Sequence, residues 1–224
     1  IHFLRGNTEE FKKDVSKVLG INPAYSGLYT TLADNCVSLR LYKQAVNFSR
    51  EALQLNPQDW TAASILGINL LRIGEEDEGK AILEKAYKGD PFNVWNVNTL
   101  TLMDSFKNFD RFEMPNFHIK LHQKESAVLR PYVTELLDRA YRTLTAKYQF
   151  KPEGPITFEM YPDHADFAVR TLGLPGIGAL GVCFGKLFVM DSPSARKPDS
   201  FSWGSTLWHE FTHVITLQMT DYKV

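Results

Sequence analysis

Apolar and polar residues follow two different periods along the 224-residue chain. Up to about residue 107, apolar positions recur every three or four residues, as in Tyr25–Leu39 and Tyr42–Leu55, which predicts pairs of amphipathic helices. Later segments mix this helical period with the alternation that is typical of strands. Strands are predicted at 116–122 and 155–161, and the first is expected to be half-buried, with His118, Lys120 and His122 on its polar face. Helices are predicted at 125–148, after Asp163 to Leu172 and at 202–219. The chain is therefore predicted to be helical first and α+β afterwards.

The segment around residue 110 is predicted to separate two domains. The helical period breaks down between Asn108 and Asn116, and the tripeptide Met114-Pro115-Asn116 is predicted to be a linker. The predicted domains are residues 1–109, which are helical, and residues 110–224, which form an α+β domain.

The first domain contains an internal repeat. Pro23, Pro57 and Pro91 are spaced by 34 residues, and each follows Asn or Asp directly. Small residues keep the same register, since Ala33 matches Gly67, Ala45 matches Gly79 and Ala52 matches Ala86, while Gly6, Arg40 and Gly74 share one place. Two helices in each 34-residue unit resemble the tetratricopeptide repeat, over roughly residues 3–107.

The resemblance implies a groove formed by the first helix of each pair. Its candidate lining residues are Asp34, Val37, Ser64, Ile68 and Leu71. The Lys and Asn clamp that holds peptide carboxylates in this family is absent, because Asp34 and Ile68 stand at those positions. Two uses stay open: the groove binds a protein partner, or the repeats are a spacer or platform packed on the neighbouring domain.

Composition and charge exclude several classes of protein. Apolar residues make up 44% and charged residues 23% of the chain, which is the ordinary mix of a folded globular protein. A net charge of −1 disfavours nucleic-acid binding, and no apolar run approaches the length of a membrane-spanning helix. Cys36 and Cys183 are too few for a disulfide framework or a Cys-rich zinc site, and we expect both to be buried.

The last predicted helix carries an HExxH motif, His209-Glu210-Phe211-Thr212-His213. His209 and His213 lie one helical turn apart on the same face, so their imidazoles can bind one zinc ion together. Glu210 projects beside them, where its carboxylate can reach a water molecule on the metal. We therefore predict two zinc ligands and one catalytic glutamate. The alternative is a pair of helix histidines that face a polar groove and bind no metal.

A zinc peptidase needs a third protein ligand. One large group of these enzymes has a histidine six residues after the second one, but Met219 stands there, which excludes that group. Asp221 lies eight residues beyond His213, about 12 Å along a continuing helix, and cannot share the metal unless the helix breaks.

The stretch Trp208–Gln218 closely resembles bacterial peptidases of the MA-like (gluzincin) type that carry tetratricopeptide repeats, and the resemblance covers about residues 116–224. It implies a zincin-like second domain whose third ligand is a glutamate in a Trp-Phe-x-Glu-Gly segment, expected beyond Val224. Because the chain starts at Ile1 without a signal-peptide pattern and stops close behind the motif, we expect it to be part of a longer protein. Residues 1–224 alone are expected to be inactive.

The resemblance also implies a zinc-dependent metallopeptidase. Zinc activates a water molecule and polarises the scissile carbonyl, and Glu210 acts as general base. An edge strand pairs with the extended peptide or protein substrate, and Val182–Met190, as one strand bent at Gly185 or as a hairpin, is the candidate. The loop Gly173–Gly181 is either a lid or cleft wall, or an ordinary surface turn.

Two other functions stay open. The second domain could be a non-catalytic protein-binding scaffold that retains a peptidase-like fold. Alternatively, the repeats could bind a peptide without the second domain.

Overall fold

The structure is a computed structural model that describes residues 2–197 and 201–222. Its helices are α1 (Thr8–Ile21), α2 (Gly27–Ser38), α3 (Tyr42–Leu55), α4 (Trp60–Ile73), α5 (Glu76–Gly89), α6 (Val94–Ser105), α7 (Gln123–Tyr148), α8 (His164–Leu172) and α9 (Trp203–Met219). Its strands are β1 (Phe109–Met114), β2 (Phe117–His122), β3 (Ile156–Tyr161), β4 (Gly181–Cys183) and β5 (Leu187–Asp191). A helical repeat region therefore precedes a small mixed sheet, as the α+β prediction requires. Among the described helices, none has both the length and the apolarity needed to cross a membrane.

The 34-residue period corresponds to a recurring helix end. Asn22, Asn56 and Asp90 follow α1, α3 and α5, with φ angles of −140°, −140° and −136°. Each side chain accepts a hydrogen bond, at 3.0–3.2 Å, from the backbone N–H two residues later. The proline between these two residues disfavours helical geometry in the residue before it. An Asn-Pro or Asp-Pro dipeptide therefore ends the helix that closes each unit.

The small residues that recur at the same position of each repeat unit allow close packing of the repeat helices. A Cβ atom at Gly67 of α4 would lie 2.5 Å from Leu83 Cγ, and one at Gly79 of α5 would lie 2.7 Å from Leu71 Cδ2. Any larger side chain at either position would push α4 and α5 apart.

The five described strands form one mixed sheet in the order β1-β2-β3-β5-β4. The pairs β2–β3 and β3–β5 are parallel, whereas β1–β2 and β4–β5 are antiparallel. Of the two alternatives for Val182–Met190, the hairpin is confirmed, and Gly185 in its turn has a φ of 104°. In this sheet β4 is an edge strand that pairs with β5 alone.

The linker prediction for Met114–Asn116 was wrong. Met114 is the last residue of β1, and Pro115 and Asn116 connect β1 to β2 in a hairpin. Within β1 only Phe109 is buried, because this strand lies at the sheet edge. An edge strand with few apolar residues lacks the alternating pattern by which strands are recognised in a sequence.

The sheet carries an apolar core on each face. On one face α7 and α9 pack against Phe117, Ile119 and other alternate residues of β2, β3 and β5. On the other face Tyr161 and Leu187 pack with α8 and with Leu71 and other residues of α4, α5 and α6. The second core therefore contains residues from both predicted domains, and the division into 1–109 and 110–224 stays a prediction.

Part of the predicted repeat groove is covered by the chain itself. Leu71 is only 3% exposed and belongs to the second core, and Ser64 donates a 2.6 Å hydrogen bond to the amide oxygen of Asn96. Arg72 of α4 donates to the carbonyl oxygen of Thr171, and Asn98 of α6 donates to that of Gly173. Over α4 and α6 the repeats are thus a platform packed on the neighbouring region, while Asp34 of α2 stays exposed.

Buried ion pairs also join the repeats to the sheet. Lys120 of β2, predicted on the polar face of its strand, is only 7% exposed and contacts both Glu76 of α5 and Glu159 of β3. Arg170 of α8 donates to Glu159 at 2.7 Å and to the backbone oxygen of Leu71 at 3.1 Å. Because α5 covers this face, the predicted half-buried character of β2 was wrong for Lys120.

Candidate active site

Helix α9 begins at a serine cap and presents an apolar face to the sheet. The side chain of Ser202 accepts a hydrogen bond from the backbone N–H of Ser205, which satisfies one free donor of the first turn. On the sheet side, Leu207, Phe211, Val214 and Ile215 have no exposed surface. Phe211 packs against the rings of Phe117, Tyr141 and Phe188, and this packing fixes the rotation of the helix. The apolar residues around the HExxH motif therefore belong to the core on this face of the sheet.

His209 and His213 lie on the opposite, exposed side of α9. Their Nε2 atoms are 3.0 Å apart and their ring planes are inclined by 86°. Burial, the neighbouring His209 and the charge of Arg40 lower the pKa of His213, which favours the neutral imidazole that a metal needs. The two rings thus converge as the sequence predicts.

Glu210 is buried between α9 and the edge strand β4. Its side chain is 6% exposed, and a Cβ atom at Gly181 would lie 2.6 Å from Glu210 Cγ. No hydrogen bond or ion pair to Glu210 is present within residues 2–197 and 201–222. Burial raises the pKa of Glu210 to about 7, although the guanidinium of Arg40 acts in the opposite direction. A carboxyl group with such a pKa can exchange a proton near neutral pH.

The histidine pair fits one half of a zinc site. Zinc–nitrogen bonds of 2.0–2.1 Å in tetrahedral geometry place two ligand nitrogens roughly 3.3 Å apart, close to the observed 3.0 Å. In the part of the chain that the structure describes, no group of three or more His, Cys, Asp or Glu side chains could hold a metal ion. The described residues therefore offer two ligands rather than three.

The motif opens into a cleft of about 690 Å³. One wall is α9 with the two histidines and Glu210, and another is β4 with Gly181 and Cys183. Ile177 and Ala179 of the loop Gly173–Gly181, the glycine-rich segment, also line the cleft. Arg40, in the turn between α2 and α3, and Tyr42, the first residue of α3, belong to the same lining.

The glycine-rich segment is attached to the sheet by a polar cluster. Asp191, which is fully buried at the end of β5, lies 3.0 Å from Nδ1 of His164 and accepts a 2.6 Å hydrogen bond from Nε of Arg196. His164 Nε2 is 2.8 Å from the carbonyl oxygen of Ile177. This cluster holds the segment in place as a wall of the cleft.

Sequence reasoning located the motif and named the loop Gly173–Gly181 as a possible cleft wall, but it missed Arg40. Arg40 comes from a segment outside α9, so the spacing of the HExxH motif carries no information about it. One signal was present for Arg40, since it stands where Gly6 and Gly74 stand in the neighbouring repeat units. A non-glycine residue at a place that glycine occupies elsewhere marks a position worth testing.

A comparison with protein families found a match that covers helices α2 and α3. Residues 26–59 match the tetratricopeptide repeat. The matched segment contains both helices and has the 34-residue length at which the Asn-Pro and Asp-Pro ends recur. Tetratricopeptide repeats suggest protein partners for this chain. Neither the curated proteins nor the solved structures contain a match to the chain.

Proposed function

We propose that this protein is a zinc-dependent peptidase in which the tetratricopeptide repeats form a protein-interaction platform. One observation carries the proposal: two imidazole nitrogens converge to 3.0 Å in a cleft, beside a buried glutamate that has no partner among the described residues. Helical spacing alone explains why the rings are neighbours. It does not explain why a carboxylate is buried without a partner at the same place, since such burial destabilises a protein unless the group is used.

Each residue of the site has a role in this proposal. His209 and His213 would hold the zinc ion, which would polarise the scissile carbonyl and make water more acidic. Glu210 accepts a proton from the attacking water and passes it to the leaving amine. Burial between α9 and β4 keeps the carboxylate of Glu210 close to the cleft.

Strand β4 supplies the surface for an extended peptide. It is the edge strand on the α9 side of the sheet, and its residues Gly181, Val182 and Cys183 line the cleft. A free strand edge binds a peptide backbone by adding one more strand to the sheet. This arrangement supports a zincin-like second domain as part of the proposal, with the third ligand expected beyond Val224.

The test uses the full-length natural protein and measures zinc content and casein hydrolysis. We expect about one zinc per chain, and hydrolysis that falls by roughly 100-fold or more in Glu210→Gln while zinc stays bound. His213→Ala should lose the zinc. Glu135→Gln, an exposed glutamate of α7, is the matched control and should keep full activity. Undiminished hydrolysis in Glu210→Gln would overturn the mechanism.

A second candidate function is a non-catalytic protein-binding scaffold with a peptidase-like fold. It is favoured by the finding that the described residues offer two metal ligands rather than three. A full-length protein that binds no zinc and hydrolyses no casein, but still captures peptides, would support the scaffold against the peptidase.

A further inference from the structure

The turn between α2 and α3 is part of the cleft wall. Arg40 and Tyr42 line the same cleft as His209, Glu210 and His213, although they are about 170 residues away in the sequence. A repeat that only recruited partners from outside would have no need to contribute side chains there.

This turn is held rigidly against the sheet. The Tyr42 ring packs edge-on against Phe184, the residue after β4, with centroids 5.5 Å apart. The buried guanidinium of Arg72 lies over both rings, at 5.4 and 5.7 Å. Because Tyr42 is only two residues from Arg40, these contacts fix the base of the Arg40 side chain relative to β4.

The backbone at Arg40 has a conformation that ordinarily favours glycine. Its φ is 59°, and the equivalent places in the neighbouring repeat units are Gly6 with φ 69° and Gly74 with φ 93°. A Cβ atom at Gly6 or Gly74 would meet no atom within 4 Å, so glycine stands there for its backbone freedom and not for lack of space. The unit whose turn faces the cleft carries a strained arginine instead, and such strain is typical of functional positions.

Arg40 has a free positive charge in the cleft. Its side chain is exposed and makes no hydrogen bond or ion pair within residues 2–197 and 201–222. A guanidinium group binds carboxylates through two parallel hydrogen bonds, which makes it the most selective cationic side chain for this purpose. The ligand that matches this site is therefore a peptide that carries a carboxylate.

We infer that Arg40 is a specificity-determining residue that binds a carboxylate of the peptide in the cleft, so that the tetratricopeptide repeats form part of the peptide-binding site. The inference rests on the proposed function. The carboxylate comes either from an acidic side chain or from the C-terminus of the peptide.

The test measures peptide binding by the full-length Glu210→Gln variant, which separates binding from hydrolysis. The probes are dye-labelled decapeptides in which Glu or Gln is scanned through each position, each made as a C-terminal acid and as an amide. We expect one carboxylate to improve affinity by roughly tenfold or more over its neutral counterpart. A preference for Glu at one position identifies a side chain, and a preference for the acid over the amide identifies the C-terminus.

The added substitution Arg40→Gly should abolish this preference and raise Tm by about 2 °C, because glycine removes the backbone strain. Arg40→Lys should keep part of the preference. Lys43→Gln is the matched control, since it removes an exposed charge three residues away that does not line the cleft. A carboxylate preference that survives Arg40→Gly, or a lower Tm in that variant, would overturn the inference.

Failure of the inference can be distinguished from failure of the proposed function. If peptides bind but the carboxylate makes no difference, Arg40 is not a specificity residue and the peptidase proposal stands. If no peptide binds and the wild-type protein hydrolyses no casein, both are overturned.

Discussion

Two buried glutamates of this chain have opposite surroundings. Glu159 is fully buried and accepts hydrogen bonds from Lys120, Arg170 and Tyr161. Burial alone would raise the pKa of Glu159, but Arg170 and Lys120 hold it well below its usual range. Glu210 is almost as buried, has no such partner in the described residues, and has a pKa raised to about 7.

The difference in partners indicates a different role for each carboxylate. At Glu159 the fold provides every partner that a buried charge requires, and the result joins β3 to β2 and α8. At Glu210 the described part of the chain provides no partner, and the group lies next to a cleft with two converging imidazoles. A network that is complete in itself stabilises the structure, whereas an incomplete one is suited to a ligand that arrives from outside.

The largest expected effect follows from breaking the complete network. Glu159→Gln leaves Arg170 buried without a counter-charge and removes one of the two carboxylates beside Lys120, so it should lower the free energy of unfolding by about 3–5 kcal/mol. Glu210→Gln, the matched substitution at the unpaired glutamate, should cause no loss at pH 7. Urea denaturation of both variants measures the contrast, and an equal loss in the two would contradict the distinction.

The two carboxylates should also give opposite pH dependences. The pKa of Glu210 is raised from 4.5 to about 7 in the folded protein, so between these values the unfolded chain ionises first and stability falls as pH rises. The pKa of Glu159 is lowered, so its contribution is present above pH 4.5 and is lost as pH falls below that value.

The pH effect of Glu210 is isolated by comparison with Glu210→Gln. The difference in unfolding free energy between the variant and the metal-free wild type should grow by up to roughly 3 kcal/mol from pH 4.5 to pH 7. Denaturant titrations at several pH values measure it. A constant difference across this range would show that the carboxyl group of Glu210 is not perturbed.

The local pattern of the sequence was sufficient for the repeat helices and for the histidine pair, although not for the edge strand β1. The 34-residue recurrence of Asn-Pro and Asp-Pro depends on contacts within three residues, and the convergence of His209 and His213 depends on one helical turn. Such interactions join residues that are close together in the sequence, so a local sequence pattern is enough to predict them. For the same reason α3 was predicted with its observed ends.

The surroundings of the two glutamates could not be predicted in the same way. Glu159 alternates with Phe158 and Met160 in β3, so its position indicated a solvated face, and only the packing of the repeat helices on that face buries it. Arg40 reaches the cleft through the packing of Tyr42 on Phe184, a contact between distant parts of the chain. The zinc-site and peptidase predictions rest on the motif and stay predictions.

The smallest expected effect comes from removing one bond of the complete network. Tyr161 is fully buried, and its hydroxyl donates to Glu159 Oε2 at 2.7 Å. Tyr161→Phe should cost only about 1–2 kcal/mol, because Arg170 Nε also donates to that oxygen at 2.7 Å and no charge is left without a partner. Urea denaturation measures this, with Tyr141→Phe as a control, since that hydroxyl has no hydrogen bond among the described residues. If Tyr161→Phe lowered the free energy of unfolding as much as Glu159→Gln does, the hydroxyl and not the two cations would be what stabilises the buried Glu159. The contrast with Glu210 would then be one of hydrogen bonding rather than of charge.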